Sequence, residues 1–196
     1  MRGSPVRVWE AAPSKFISQK SKVKIMNLIG KTAPDFSLEG FHAGKFSKHS
    51  LKDYKGKWLV VFFYPLDFTF VCPTEIKAFS AKSKDFEKIN CEIVGVSVDS
   101  KHSHKKWIES DLGKLNFPLL ADLRRDMTLA YGVLKEDEGV AYRGTFIIDP
   151  KGIIRHVTVS DNDVGRSVEE TLRVVKAFQT GKLCPAEWHA GEKTLN

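Results

Sequence analysis

Between Trp58 and Asp99 three elements follow one another without a break, and that succession narrows the fold more than any other feature. Trp58 to Tyr64 (WLVVFFY) is an unbroken aliphatic and aromatic run, which predicts a central strand buried on both faces. Residues 74 to 89 place Ile76, Phe79, Phe86 and Ile89 at helical spacing, and Cys91 to Asp99 (CEIVGVSVD) returns to β-branched residues. Strand, helix and strand in this order make a β-α-β unit of an α/β layer fold.

Downstream, a helix is expected from about His102 to Asp111, an apolar strand over Phe117 to Leu120, and a short helix from Arg125 to Tyr131 before Gly132. Gly144 to Asp149 and Ile153 to Val159 are apolar runs joined by Asp149-Pro150-Lys151-Gly152, whose Pro and Gly supply turn chemistry. Ser167-Val168-Glu169-Glu170 matches a capping box; Val168, Leu172, Val175 and Phe178 form the expected buried face of a final helix, and Gly181 its stop. Periodicity alone leaves a thioredoxin-like and a flavodoxin-like strand order both open.

At 196 residues and 42% hydrophobic composition, the chain can bury one substantial core. The longest apolar stretch, Trp58 to Val71, is interrupted by Pro65 and Asp67 and is too short to span a bilayer. The formal charge of +7 is uneven. Residues 1 to 25 hold six basic residues against Glu10, and elsewhere Lys alternates with Asp and Glu, so neither nucleic acid nor a membrane surface is implied as a partner. That basic leader lacks an apolar signal core and reads as an organelle transit peptide or a cloning remnant, with Met26 as the natural start. The expected organisation is a flexible leader over 1–25, one domain over 26–181 and a tail over 182–196.

Three cysteines, Cys72, Cys91 and Cys184, are too few for a disulfide-stapled scaffold and too widely spaced for zinc. They fit a reducing compartment, the cytoplasm, or an organelle if residues 1–25 are a native transit peptide. The six histidines show no ligand spacing; His102 and His104, two apart, diverge on a helix. Cys91 opens an apolar strand with nothing nearby to activate it, and reads as a buried hydrophobe.

Cys72 differs. It sits where a buried strand gives way to a helix, in Pro65-Leu66-Asp67-Phe68-Thr69-Phe70-Val71-Cys72-Pro73-Thr74-Glu75. Amides in a helix first turn and the macrodipole favour a thiolate, Thr69 offers a hydroxyl three residues earlier, and Pro65 can shield the pocket from water.

PLDFTFVCPTE resembles the peroxiredoxin signature. Further agreement runs from about Ile29 to Gly191, in GKTAPDF, GVSVDS, FPLLAD, YRGTFIID, GRSVEETLR and CPAEW, and is similar to the typical two-cysteine, alkyl-hydroperoxide-reductase-like branch. The resemblance implies a thioredoxin-like fold, a central mixed sheet flanked by helices, with an N-terminal hairpin and a C-terminal extension. It makes Cys72 the peroxidatic nucleophile in a pocket of Pro65, Thr69 and Arg143, with Glu75 orienting the arginine and Cys184 as the resolving cysteine. A guanidinium stays protonated at any working pH, so Arg143 can stabilise a thiolate and orient a peroxide.

The implied activity is reduction of hydrogen peroxide and alkyl hydroperoxides through a Cys72 sulfenic acid and an intersubunit Cys72–Cys184 disulfide, recycled by a thioredoxin-like dithiol protein. It needs no metal, haem or flavin. It also implies a homodimer, and a decamer built of dimers. The same branch leads to an expectation of resistance to excess peroxide: Ser110-Asp111-Leu112-Gly113-Lys114 keeps only the Leu-Gly of the family's Gly-Gly-Leu-Gly loop, and no Tyr or Phe follows Cys184, whose segment is expected to be mobile. A disulfide oxidoreductase would need C-x-x-C, which neither Cys72-Pro73-Thr74-Glu75 nor Cys184-Pro185-Ala186-Glu187 provides. A holdase activity would be compatible with the same chain.

Overall fold

The structure, a computed structural model, describes residues 28–196, so the expectations for residues 1–25 and for a start at Met26 lie outside the described residues. In chain order the elements are β1 (Ser37–His42), β2 (Lys45–Ser50), a 3-10 turn (Leu51–Tyr54), β3 (Trp58–Phe63), α1 (Cys72–Glu87), β4 (Cys91–Ser97) and α2 (Lys101–Trp107). A π-helical turn (Ile108–Leu112), β5 (Leu119–Ala121), α3 (Asp126–Ala130), β6 (Leu134–Lys135), β7 (Val140–Ala141), β8 (Arg143–Ile148), β9 (Ile154–Ser160) and α4 (Val168–Gln179) follow.

Seven strands form one sheet in the order β2-β1-β5-β4-β3-β8-β9, and β6 pairs with β7 in a separate ribbon. The β3-α1-β4 unit is the expected parallel crossover, and β5 continues the parallel set. β8 runs antiparallel to β3, and β9 to β8, so the sheet is mixed and a flavodoxin-like parallel order is excluded. The β8–β9 turn closes through Gly152, whose φ of 82° few residues other than glycine adopt.

Alternation along β3 divides the interior. Val60, Phe62 and Tyr64 face a core shared with α1, Trp107 and α4, whereas Leu59, Val61 and Phe63 face a second core with Phe36, Met127 and Tyr131. Phe62 lies flat on Phe79 at 4.5 Å between ring centroids, in space that a Cβ on Gly95 would invade. On β8, Ile147 faces the α1 side, and period two carries Thr145 and Arg143 to that same face.

The first helix begins at Cys72, in keeping with the cysteine's expected place at a strand-to-helix junction. Two local expectations change. Phe178 is 40% exposed and stacks on Trp58 instead of joining the core. The segment after α4 is packed rather than loose: Trp188 is buried, its carbonyl accepts from Arg173 Nη1 at 2.9 Å, and Leu195 N donates to Leu183 O at 2.8 Å.

Candidate active site

Tyr64 ends the buried β3 run, a turn follows, and Cys72 opens α1 with Pro73 in the first turn and its side chain fully buried. The amides of Thr74 and Glu75 both close onto Val71 O, which leaves less first-turn amide support for a thiolate than the sequence implies. The favourable charge comes from across the sheet. The β3–β8 register pairs Phe62 with Thr145, so Arg143, two residues further along β8, lies level with the end of β3. There Arg143 Nη1 donates to Cys72 Sγ at 3.4 Å and to Glu75 Oε2 at 2.7 Å.

Arg143 is fixed on its other side by the Asn162 carbonyl, which accepts from Nε and Nη2 at 3.0 and 2.7 Å. Glu75, one helical turn after Cys72, is held in turn by Arg166: Oε1 accepts from its backbone N and Nε, and Oε2 from Nη2, all within 2.8 Å. Burial pushes the Glu75 carboxyl up, but hydrogen bonds and charge from Arg166, reinforced by Arg143, outweigh it and hold the group below its usual value. Two guanidinium groups and one carboxylate leave one positive charge in this buried cluster, which an anionic sulfur at Cys72 would neutralise.

Of the six residues singled out from sequence, Arg143 therefore bonds to both Cys72 and Glu75. Pro65 is buried on the preceding turn, and Thr69 is half-buried with its hydroxyl donating to Leu66 O at 3.0 Å rather than to the thiol. Cys184 lies elsewhere. Arg166 beside Glu75 and Gln179 bonded to Ile89 O show that α1 and α4 run side by side in the same direction, and Cys184 Sγ sits 3.5 Å from Thr180 Oγ1, past the end of α4. The two thiols thus stand at opposite ends of a helix whose 16 residues span ~24 Å. A disulfide needs its Cα atoms within ~7 Å.

The sequence gives no direct sign of Arg166, Asn162 or a buried polar cluster beneath the turn. An arginine just before the Ser167 cap is a cation against the helix dipole, and that mismatch is the one signal that marks Arg166. In the cluster, His104 Nδ1 lies 2.8 Å from Asp67 Oδ2, and Tyr64 OH donates to Asp67 Oδ1 at 2.9 Å. In the sequence, Asp67 shows only as a charge interrupting an apolar run.

Cys91 is buried in β4, and burial pushes its thiol well up, as befits an unreactive side chain. Among the described residues no helix is long and apolar enough to cross a membrane, and no group of three His, Cys, Asp or Glu is placed to hold a metal ion.

The AhpC/TSA family profile matches residues 29–157. Bovine (Bos taurus) peroxiredoxin-2 is 56% identical over 176 residues, covering 85% of this chain and 88% of the bovine protein. Among solved structures, reduced Plasmodium vivax 2-Cys peroxiredoxin superposes with a TM-score of 0.83 at 37% identity, covering 85% of this chain and 92% of that one. Enterococcus faecalis AhpC superposes at 0.79 with 40% identity, over 82% of this chain and all of that one. Similarity of this extent spans the sheet, the Cys72 helix and the strand that carries Arg143, and the chain belongs to the peroxiredoxin (AhpC/TSA) family of thiol-dependent peroxidases.

Proposed function

We propose that Cys72 is the peroxidatic nucleophile of this enzyme, with Arg143, Glu75, Thr69 and Pro65 forming its pocket and Cys184 resolving the product. The observation that carries this reading is the 3.4 Å contact of Arg143 Nη1 with a buried sulfur, from a guanidinium clamped by Glu75 and Asn162. The Cys72 thiolate attacks the terminal oxygen of a hydroperoxide, hydrogen peroxide or an alkyl hydroperoxide. The O–O bond breaks, Cys72 becomes a sulfenic acid, and water or an alcohol leaves after taking a proton. A clamped cation holds the anionic sulfur and one peroxide oxygen without reorganising during reaction.

Cys184 of a second subunit then displaces water from the sulfenic acid to form an intersubunit disulfide. The separation of the two thiols along α1 supports a partner subunit as the source. A thioredoxin-like dithiol protein reduces that disulfide, its own thiols becoming oxidised, and returns both cysteines. Residues 26–181 form the peroxidase domain and 182–196 the resolving segment, working in the reducing cytoplasm, or in an organelle if residues 1–25 are a native transit peptide.

The dimer forms at the outer edge of β9, which has no neighbouring strand among the described residues and on which Val159 is exposed. Dimers assemble into a decamer through the exposed Leu66, Phe68 and Phe70 of the turn before Cys72. A steady-state peroxide assay with thioredoxin as electron donor tests the roles. Cys72→Ser is expected to abolish turnover, and Cys184→Ser to leave a single oxidation of Cys72 without thioredoxin-coupled cycling. Full turnover by Cys72→Ser would refute the reading.

A further inference from the structure

The turn from Pro65 to Val71 is tied down at one residue. Asp67 N donates to Asp99 Oδ2 at 2.8 Å, its Oδ1 accepts from Tyr64 OH at 2.9 Å, and its Oδ2 meets His104 Nδ1 at 2.8 Å. Asp67, Tyr64 and His104 are all buried, His104 and Tyr64 completely. His104 Nε2 lies 3.1 Å from the Leu120 carbonyl, which can only accept, so that nitrogen carries a hydrogen. The residues just past β3 and β4 and the body of α2 therefore converge on the residue five before Cys72, and β5 holds His104 from its other side. Trp107, one turn after His104 on the same helix face, packs on Phe68 at 5.7 Å between ring centroids. Phe68 itself holds a left-handed φ of 55°, a costly conformation for an aromatic residue that persists only where neighbours enforce it.

A fully buried sulfur in a helix first turn cannot bond to a second thiol until that turn unwinds. We infer that the buried His104–Asp67 pair is a positioning lock on this turn, setting how readily the start of α1 unwinds to deliver oxidised Cys72 to Cys184. Neither residue touches the sulfur. The lock holds the turn while peroxide is captured and opposes disulfide formation afterwards, so its strength sets the partition of the Cys72 sulfenic acid between disulfide and further oxidation by a second peroxide to sulfinic acid. The inference rests on the assignment of Cys72 and Cys184 given above.

Rapid mixing of the full-length protein with peroxide, followed by tryptophan fluorescence and mass spectrometry, separates the second-order capture step from the first-order resolving step. Asp67→Asn keeps the shape and removes the charge-assisted bonds; it is expected to speed resolution about tenfold, to lower the sulfinic fraction at a given peroxide concentration, and to slow capture. Tyr64→Phe, which removes one bond to Asp67, moves the same quantities less and serves if Asp67→Asn does not fold. Tyr131→Phe is the matched control: it also removes one bond from a buried hydroxyl, to Pro34 O at 3.0 Å on the opposite face of the sheet, and leaves the ratio of the two rates unchanged. Equal acceleration in Tyr64→Phe and Tyr131→Phe would mean general loosening and overturn the lock, as would unchanged resolution in Asp67→Asn. Failure of the wild type to oxidise Cys72 at all would instead overturn the assignment on which the lock rests.

Discussion

Glu75 makes no contact with the sulfur, yet the site depends on it, because among the described residues it is the carboxylate that both Arg143 and Arg166 engage. Removing one partner from a buried charge cluster leaves the remainder uncompensated, so Glu75→Gln is expected to destabilise the fold by ~3 kcal/mol, read by urea denaturation, and to slow peroxide capture at neutral pH. The pH dependence follows from the direction of the Glu75 shift. Its folded value lies below the ordinary 4.5, so its contribution to stability is complete above that pH and is lost as pH falls through the folded value. An acid unfolding series in which the difference between wild type and Glu75→Gln disappears only below 4.5 is the expected result.

At the scale of elements, α4 does two jobs. The residues leading into it deliver Arg166 to Glu75, and its middle carries Arg173, which holds the Trp188 carbonyl and so anchors the segment bearing Cys184. Trp188 is almost fully buried, its Nε1 donating to Glu192 O at 3.2 Å. Trp188→Ala is expected to cost about 3 kcal/mol, to expose the Leu195 amide to hydrogen exchange and to slow disulfide formation, while leaving peroxide capture by Cys72 unaltered.

Elements with a strong period are legible in the amino-acid sequence itself: β3, α1, β4, the β8–β9 hairpin and α4 follow from apolar spacing and turn residues. The hairpin of β1 and β2 is not, since SLEGFH and KFSKHS lack a sustained apolar alternation and β2 is largely exposed, and only the family resemblance implies it. Cys72, Glu75 and Arg143 are legible through that same resemblance. Arg166 and the Asp67–His104 pair are not, because their roles come from contacts between residues far apart in sequence. For the same reason His104, whose spacing speaks only against a metal site, gives no sign in the sequence of its place under the turn.

At the scale of the whole molecule, the sheet ends among the described residues on two strands without an outer neighbour, β2 and β9, and the apolar turn before Cys72 leaves Phe70 96% exposed. Light scattering of the reduced protein is expected to find a decamer, and Phe70→Asp to stop at the dimer, because a charge on the turn blocks the second contact without touching β9. Peptide mapping of protein oxidised with one equivalent of peroxide, alkylated and separated on a non-reducing denaturing gel tests the central claim most directly. The account predicts a Cys72 peptide linked to a Cys184 peptide in the dimer band, with Cys91 alkylated. A Cys72–Cys184 link within the monomer band, or a link through Cys91, would contradict it.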